Sequence, residues 1–209
     1  MISVLLRLLL LFIISFVSNA TAFFGASYTL VATVELSATG VSLGSFGLVV
    51  FVTALGATCG KVVIYFSALG LKKSLLKNKN VQLLGRWLGS GGFYLGLFIT
   101  ALLPILPFDD YVYIGAGANA ARLPPMLGVT FVAKLLKSSF EILLELSGIV
   151  GIATFTHRYM GISRLDISIL LSVAMIVIGV AIYKVDWEPA IAWAERSFRR
   201  RTGPVAPPP

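Results

Sequence analysis

The chain is built of long apolar blocks separated by short polar or broken segments. Residues 2–18 are apolar with one charge, Arg7. Residues 20–40 are moderately apolar but broken by Gly25, Ser27, Thr29, Thr33, Glu35, Ser37 and Gly40. That pattern is too polar for a lipid-facing span. It predicts a re-entrant hairpin packed inside protein, where non-helical backbone is tolerated at membrane depth. Residues 43–70 make a full span containing Gly44, Gly47, Gly56, Gly60 and Lys61, and the small residues favour close helix packing. Residues 71–86 hold Lys72, Lys73, Lys77, Lys79 and Arg86 with no acid, which predicts a cytoplasmic loop.

Residues 87–107 are apolar and end in Pro104 and Pro107. Two prolines three apart break a helix, so this segment is expected to turn rather than cross, with Phe108-Asp109-Asp110-Tyr111 following at the break. An apolar return leads through Gly115-Ala116-Gly117 to Arg122. Met126 to Phe155 form a second long span and residues 167–184 a last one. Residues 186–201 read as an interfacial helix, with Trp187, Ile191, Trp193 and Phe198 toward lipid and Arg199 to Arg201 toward water. Pro204 to Pro209 read as a disordered tail.

Charge placement orients these blocks. If 71–86 and the arginines after Trp187 are both cytoplasmic, span 43–70 runs inward and span 126–155 runs outward. Segment 87–122 then starts and ends inside, and segment 20–42 starts and ends outside. The expected fold is therefore an all-α polytopic membrane protein. Two inverted re-entrant hairpins are each followed by a transmembrane helix, with flanking helices added. A weak internal echo agrees, with Phe24-Gly25-Ala26-Ser27-Tyr28 set against Phe108-Asp109-Asp110-Tyr111-Val112. The organisation is residues 1–19 as an N-terminal membrane helix or signal peptide, 20–184 as the membrane domain, and 185–209 as interfacial helix and tail. Asn19-Ala20-Thr21-Ala22 resembles a cleavage site, yet the basic n-region is weak, which favours an uncleaved helix.

Composition supports the membrane class. The chain has 209 residues, of which 12% are charged, and a mean hydropathy of +0.93. A net charge of +8 raises the question of nucleic acid. The excess lies in short segments beside apolar spans, a pattern of loops facing anionic lipid, and no nucleic-acid partner is expected. The single cysteine, Cys59, excludes an intramolecular disulfide, and His157 has no metal-ligand spacing around it. No metal or cofactor site is expected. Without a His-rich metal set, a Gly-x-Ser-x-Gly elbow or a paired Gly-x-Gly-Asp signature, the reading is non-enzymatic.

The candidate chemistry lies at membrane depth. Thr130, Lys134, Lys137, Ser138, Glu141 and Glu145 fall on one helical stripe of the 126–155 span. A charge at the bilayer centre costs about 3 kcal/mol or more, so such groups face protein or a water-filled cavity. Asp109 and Asp110 stand at a broken helix end, where adjacent carboxylates can relay a proton or simply cap the next helix. Lys61, Lys134, Lys137 and Arg122 can attract an anionic headgroup. Alternatively, Lys137 neutralises Glu141, Lys61 pairs with Glu145 or Glu35, and Arg122 snorkels at the surface.

The Pro104-x-x-Pro107-x-Asp109 break, the Gly115-Ala116-Gly117 return and the long helix with buried bases resemble the DedA family, also called the SNARE-associated or VTT-domain superfamily. Gly56-Ala57-Thr58-Cys59-Gly60-Lys61 and Tyr65 are similar to that family's glycine-rich stretch. The resemblance spans roughly residues 20–155. It implies two facing re-entrant hairpins and movement of lipids, polyprenyl phosphate among them, coupled to protons or sodium. This chain departs from the family in its first hairpin, where Phe23 to Ser27 contain neither proline nor carboxylate. The second half lacks the usual arginine pair, and lysines cannot act as bidentate phosphate forks. The expected function is a plasma-membrane transporter or scramblase for a lipid or lipid-linked phosphate, with a cytoplasmic C-terminus. The competing reading is an exporter of small molecules or cations. Coupling falls to Asp109, Asp110, Glu35, Glu141 and Glu145, and headgroup binding to Lys61, Lys134, Lys137 and Arg122.

Overall fold

A computed structural model describes residues 4–22, 28–88, 90, 92–103, 108–149 and 177. Among these the secondary structure is entirely helical. The helices are α1 (Val4–Ala20), α2 (Tyr28–Thr39), α3 (Leu43–Gly70), α4 (Lys72–Leu75), α5 (Lys79–Trp87), α6 (Phe93–Leu102), α7 (Phe108–Ala118) and α8 (Leu123–Leu144), which continues into a π-helical turn, Glu145–Ile149.

Length separates the helices into two kinds. With 28 residues, α3 reaches about 42 Å. It is long and apolar enough to cross a membrane, with a mean hydropathy of 2.0 over its most apolar window. By contrast α2, α6 and α7 have 12, 10 and 11 residues. They reach only about 15–18 Å, half the hydrocarbon thickness of a bilayer. The predicted breaks thus leave half-length helices. Pro104 and Pro107, which prompted one of those breaks, lie outside the described residues, as do 150–176 and 178–209 with the last span and interfacial helix.

One arrangement occurs twice. A short helix is followed by a turn with a left-handed residue and then by a long helix. Gly40 (φ 96°) precedes α3 and Ala120 (φ 55°) precedes α8. A constant 80 positions separate Tyr28 from Phe108, Gly40 from Ala120 and Leu43 from Leu123, the first residues of the paired helices and the residues of the turns. The register therefore pairs Tyr28 with Phe108, four residues off the echo that set Phe24 against Phe108. Helix starts and turns fix the alignment, and likeness of single residues does not. Gly40 supplies φ > 0 without steric cost, whereas Ala120 holds a conformation that L-residues rarely adopt.

The segment 71–86, expected as a loop, is largely helical. Asn78 caps α5 by accepting a hydrogen bond from the Asn80 amide at 2.8 Å. Buried Val81 and half-buried Leu84 hold α5 against α7. The five basic side chains Lys72, Lys73, Lys77, Lys79 and Arg86 stay exposed. An amphipathic pattern is helical wherever a neighbour covers its apolar face, and α7 does so here.

Packing centres on α3, which meets α1, α2, α7 and α8. Gly56 and Gly60 let the α1 backbone come close: a side-chain carbon on Gly56 would lie 2.6 Å from the Phe12 carbonyl oxygen. Two apolar cores result. One joins Ile64, Tyr65, Phe93, Leu97, Val112, Tyr113, Ala116 and Met126; the other joins Leu11, Ala32, Leu36, Val49, Val50 and Ile142. Large apolar side chains also cover the outside, including Leu5, Leu9, Phe51, Phe66, Leu136 and Phe140.

Candidate functional site

Between the two apolar cores lies a layer of buried charge. On α8 the residues Met126, Thr130, Lys134, Ser138 and Ile142 follow one another at four-residue spacing, and all are buried. The stripe begins in one core and ends in the other, with Lys134 midway between Met126 and Ile142. Its opposite face carries exposed Val132, Leu136, Phe140 and Leu143.

Four charges close on one another in this layer. Lys134 Nζ lies 2.8 Å from Asp109 Oδ2 on α7, and Lys61 Nζ on α3 lies 3.1 Å from the same oxygen. Lys61 also donates a hydrogen bond to Asp110 Oδ1. Each of the four is no more than 4% exposed. Two ammonium groups face two carboxylates, so the quartet is electrically neutral, the condition under which charges survive burial. Asp109 and Asp110 occupy the first turn of α7, as a capping role requires, but their side chains are committed to lysines from two other helices.

Hydroxyls surround the quartet. Tyr113 and Thr130 share a hydrogen bond at 2.8 Å. The Tyr65 hydroxyl donates to the Ala121 carbonyl at 2.5 Å and ties α3 to the turn before α8. The Tyr28 hydroxyl and Ser138 Oγ are neighbours, both closed to solvent and neither with a well-formed hydrogen bond.

The remaining candidates fall in separate places. Lys137 and Glu141 pair along α8 at 3.8 Å and keep side-chain exposures of 14% and 19%, at the rim of the layer. Glu35 pairs with Arg7 of α1 at 3.0 Å in a half-open position. Neither Glu35 nor Glu145 meets Lys61, whose partners are Asp109 and Asp110. Glu145 takes hydroxyl bonds from Thr29 at 2.8 Å and Thr33 at 2.5 Å, both on α2. Arg122 is exposed at the start of α8, 12 residues and so about 18 Å from Lys134 along the axis, away from the quartet.

The structure thus joins Lys61, Asp109, Asp110 and Lys134, and sets Glu35, Glu145 and Arg122 apart. Sequence reasoning marked Thr29 and Thr33 only as polar interruptions of an apolar stretch. Their four-residue spacing was the available sign that both hydroxyls face one neighbour. Tyr28 gave no signal of its kind, because a buried tyrosine is ordinary.

No protein-family model matches the chain, and neither a curated protein nor a solved structure is significantly similar to it.

Proposed function

We propose that the protein is an integral membrane transporter or scramblase that moves a lipid or lipid-linked phosphate across the bilayer. The observation that carries the reading is the neutral quartet Lys61–Asp109–Asp110–Lys134, buried among helices whose outer faces are apolar. A charged headgroup crosses a bilayer at low cost only where fixed charges replace its water. An apolar exterior lets the tails stay in hydrocarbon meanwhile. The repeated arrangement of half-length helix, left-handed turn and long helix supports two inverted re-entrant hairpins. The resemblance to the DedA family agrees with it.

In this reading Asp109 is the pivot, because one of its oxygens serves two lysines. An anionic headgroup that binds Lys134 takes the place of that carboxylate. A proton delivered to Asp109 releases Lys134 for the headgroup, which links ion movement to lipid movement by charge balance. Lys137, at the rim, meets the headgroup first. A cation exporter needs acids to dominate its cavity, and few are left once pairs are counted. Glu35 is held by Arg7 and Glu141 by Lys137, leaving only Glu145 outside an ion pair among the described acids.

Reconstitution into vesicles with fluorescent phospholipid on one leaflet, and separately with polyprenyl phosphate, tests the reading. Protein-dependent equilibration of either lipid is expected, with loss in Lys134→Met. Vesicles in which neither lipid moves, while the protein is folded and inserted, would refute it.

A further inference from the structure

Hydroxyls on these helices commonly satisfy themselves. Ser37, Thr53, Thr58, Thr100 and Ser139 each donate to a carbonyl of their own helix four residues earlier. The buried tyrosines Tyr65 and Tyr113 find partners on other segments, the Ala121 carbonyl and the Thr130 hydroxyl. Two hydroxyls depart from this habit. Ser138 is fully buried and Tyr28 is 8% exposed, and among the described residues neither oxygen has a well-formed hydrogen bond. A buried hydroxyl left unpaired is costly, and native folds rarely keep one without a use.

The two exceptions are neighbours. Ser138 lies on the buried stripe of α8, one turn and about 6 Å beyond Lys134. Tyr28 opens α2 and brings its hydroxyl to that turn. The charged groups around this hydroxyl are Glu141, Asp109 and Lys61. The pair thus stands between the quartet and the rim pair Lys137–Glu141. By the 80-residue register the counterpart of Tyr28 is Phe108, so a ring opens both short helices and only the first carries an oxygen. Packing at the helix start therefore asks for a ring, and the hydroxyl needs another reason.

We propose that Tyr28 and Ser138 donate hydrogen bonds to a phosphate oxyanion and form, with Lys134, its binding site between the rim and the quartet. The proposal rests on the transport reading above and adds to it the residues that recognise the headgroup. Two hydroxyl donors one turn from an ammonium suit a group with negative charge and several acceptor oxygens, and bonds to charged acceptors are the strong ones. The nearby acids do not take up these donors, because Asp109 is held by two lysines and Glu141 by Lys137. A lipid headgroup and free phosphate share this chemistry, and the experiment separates them.

The full chain in detergent is titrated with inorganic phosphate and, separately, with dihexanoyl phosphatidic acid, and its Tm is also measured in chloride alone. Tyr28→Phe and Ser138→Ala each delete one oxygen and keep the rest of the side chain. In chloride each variant is expected to melt at or above the wild-type temperature, because an unpaired buried hydroxyl is gone. Each is expected to bind phosphatidic acid about tenfold more weakly or worse. A wild type that binds inorganic phosphate alone, with the same loss in the variants, supports the oxyanion site and gives it to the free anion. Variants that melt lower than wild type would make the hydroxyls structural, held by a fixed water or otherwise, and overturn the proposal. Unchanged affinity in the variants, or a wild type that binds neither probe, overturns it as well. Wild-type vesicles that move lipid while the variants bind like wild type would sink this assignment and leave transport standing. Vesicles that move no lipid would sink transport, and the binding titration would still decide on the site.

Discussion

Lys134 on α8 reaches Asp109 on α7 at 2.8 Å, and Lys61 on α3 reaches the same carboxylate oxygen at 3.1 Å. One oxygen thus anchors three helices. Removing a single member leaves an uncompensated buried charge, whereas removing a matched pair does not. Lys134→Met alone should destabilise by about 3–5 kcal/mol, and Asp109→Leu combined with Lys134→Met should recover most of that loss. Denaturation of the purified variants checks it. A double variant no more stable than Lys134→Met would show that the charges do not act as a balanced set. Lys61→Met should be worse than Lys134→Met, because Lys61 serves both aspartates.

The rim pair separates structure from transport. Lys137 and Glu141 are 3.8 Å apart and partly open to solvent, so their mutual stabilisation is at most about 1 kcal/mol. The double variant Lys137→Met with Glu141→Leu should fold normally yet move lipid poorly, if Lys137 meets the headgroup. A stable double variant with full transport would remove Lys137 from the path.

Glycine positions differ sharply in what they tolerate. A side chain at Gly60 would meet the α1 backbone at 2.7 Å, so Gly60→Leu should separate α1 from α3 and lower stability by several kcal/mol, on the order of other overpacking substitutions or beyond. Nothing lies within 4 Å of a side-chain carbon at Gly128. Gly128→Ala should gain up to about 1 kcal/mol from helix propensity. Equal thermal shifts for the two variants would contradict the close α1–α3 approach.

Orientation is open to labelling. In a Cys59→Ser background, Lys77→Cys should react from the cytoplasmic side and Ser42→Cys from the opposite side. Ser42 caps the start of α3, and Lys77 lies beyond its other end, between α4 and α5, among basic residues. Labelling of Lys77→Cys from outside intact cells would sink the inverted-hairpin scheme.

Tyr65→Phe removes the hydrogen bond to the Ala121 carbonyl. A loss of about 1 kcal/mol is expected, with more if the turn around Ala120, already at φ 55°, relaxes. A variant as stable as the parent would mean that the turn is held by packing alone.

The sequence by itself determined the helical class, the long apolar helix at 43–70 and the buried stripe of α8. Each depends on local periodicity, and Thr130, Lys134 and Ser138 lie inward because four-residue spacing leaves them no other face. It also marked Asp109 and Asp110 as unusual, since apolar surroundings make charge conspicuous. Partners were another matter. Lys61 could have met Glu35, Glu145 or the aspartates, and only the approach of α7 to α3, where Gly117 lies against Tyr65 and Ala68, decided for the aspartates. Glu145 faced Thr29 and Thr33 for the same reason, because α2 folds against the end of α8. Burial is written into each helix, but which charges neutralise one another depends on distances across helices, and these exist only once the chain is packed.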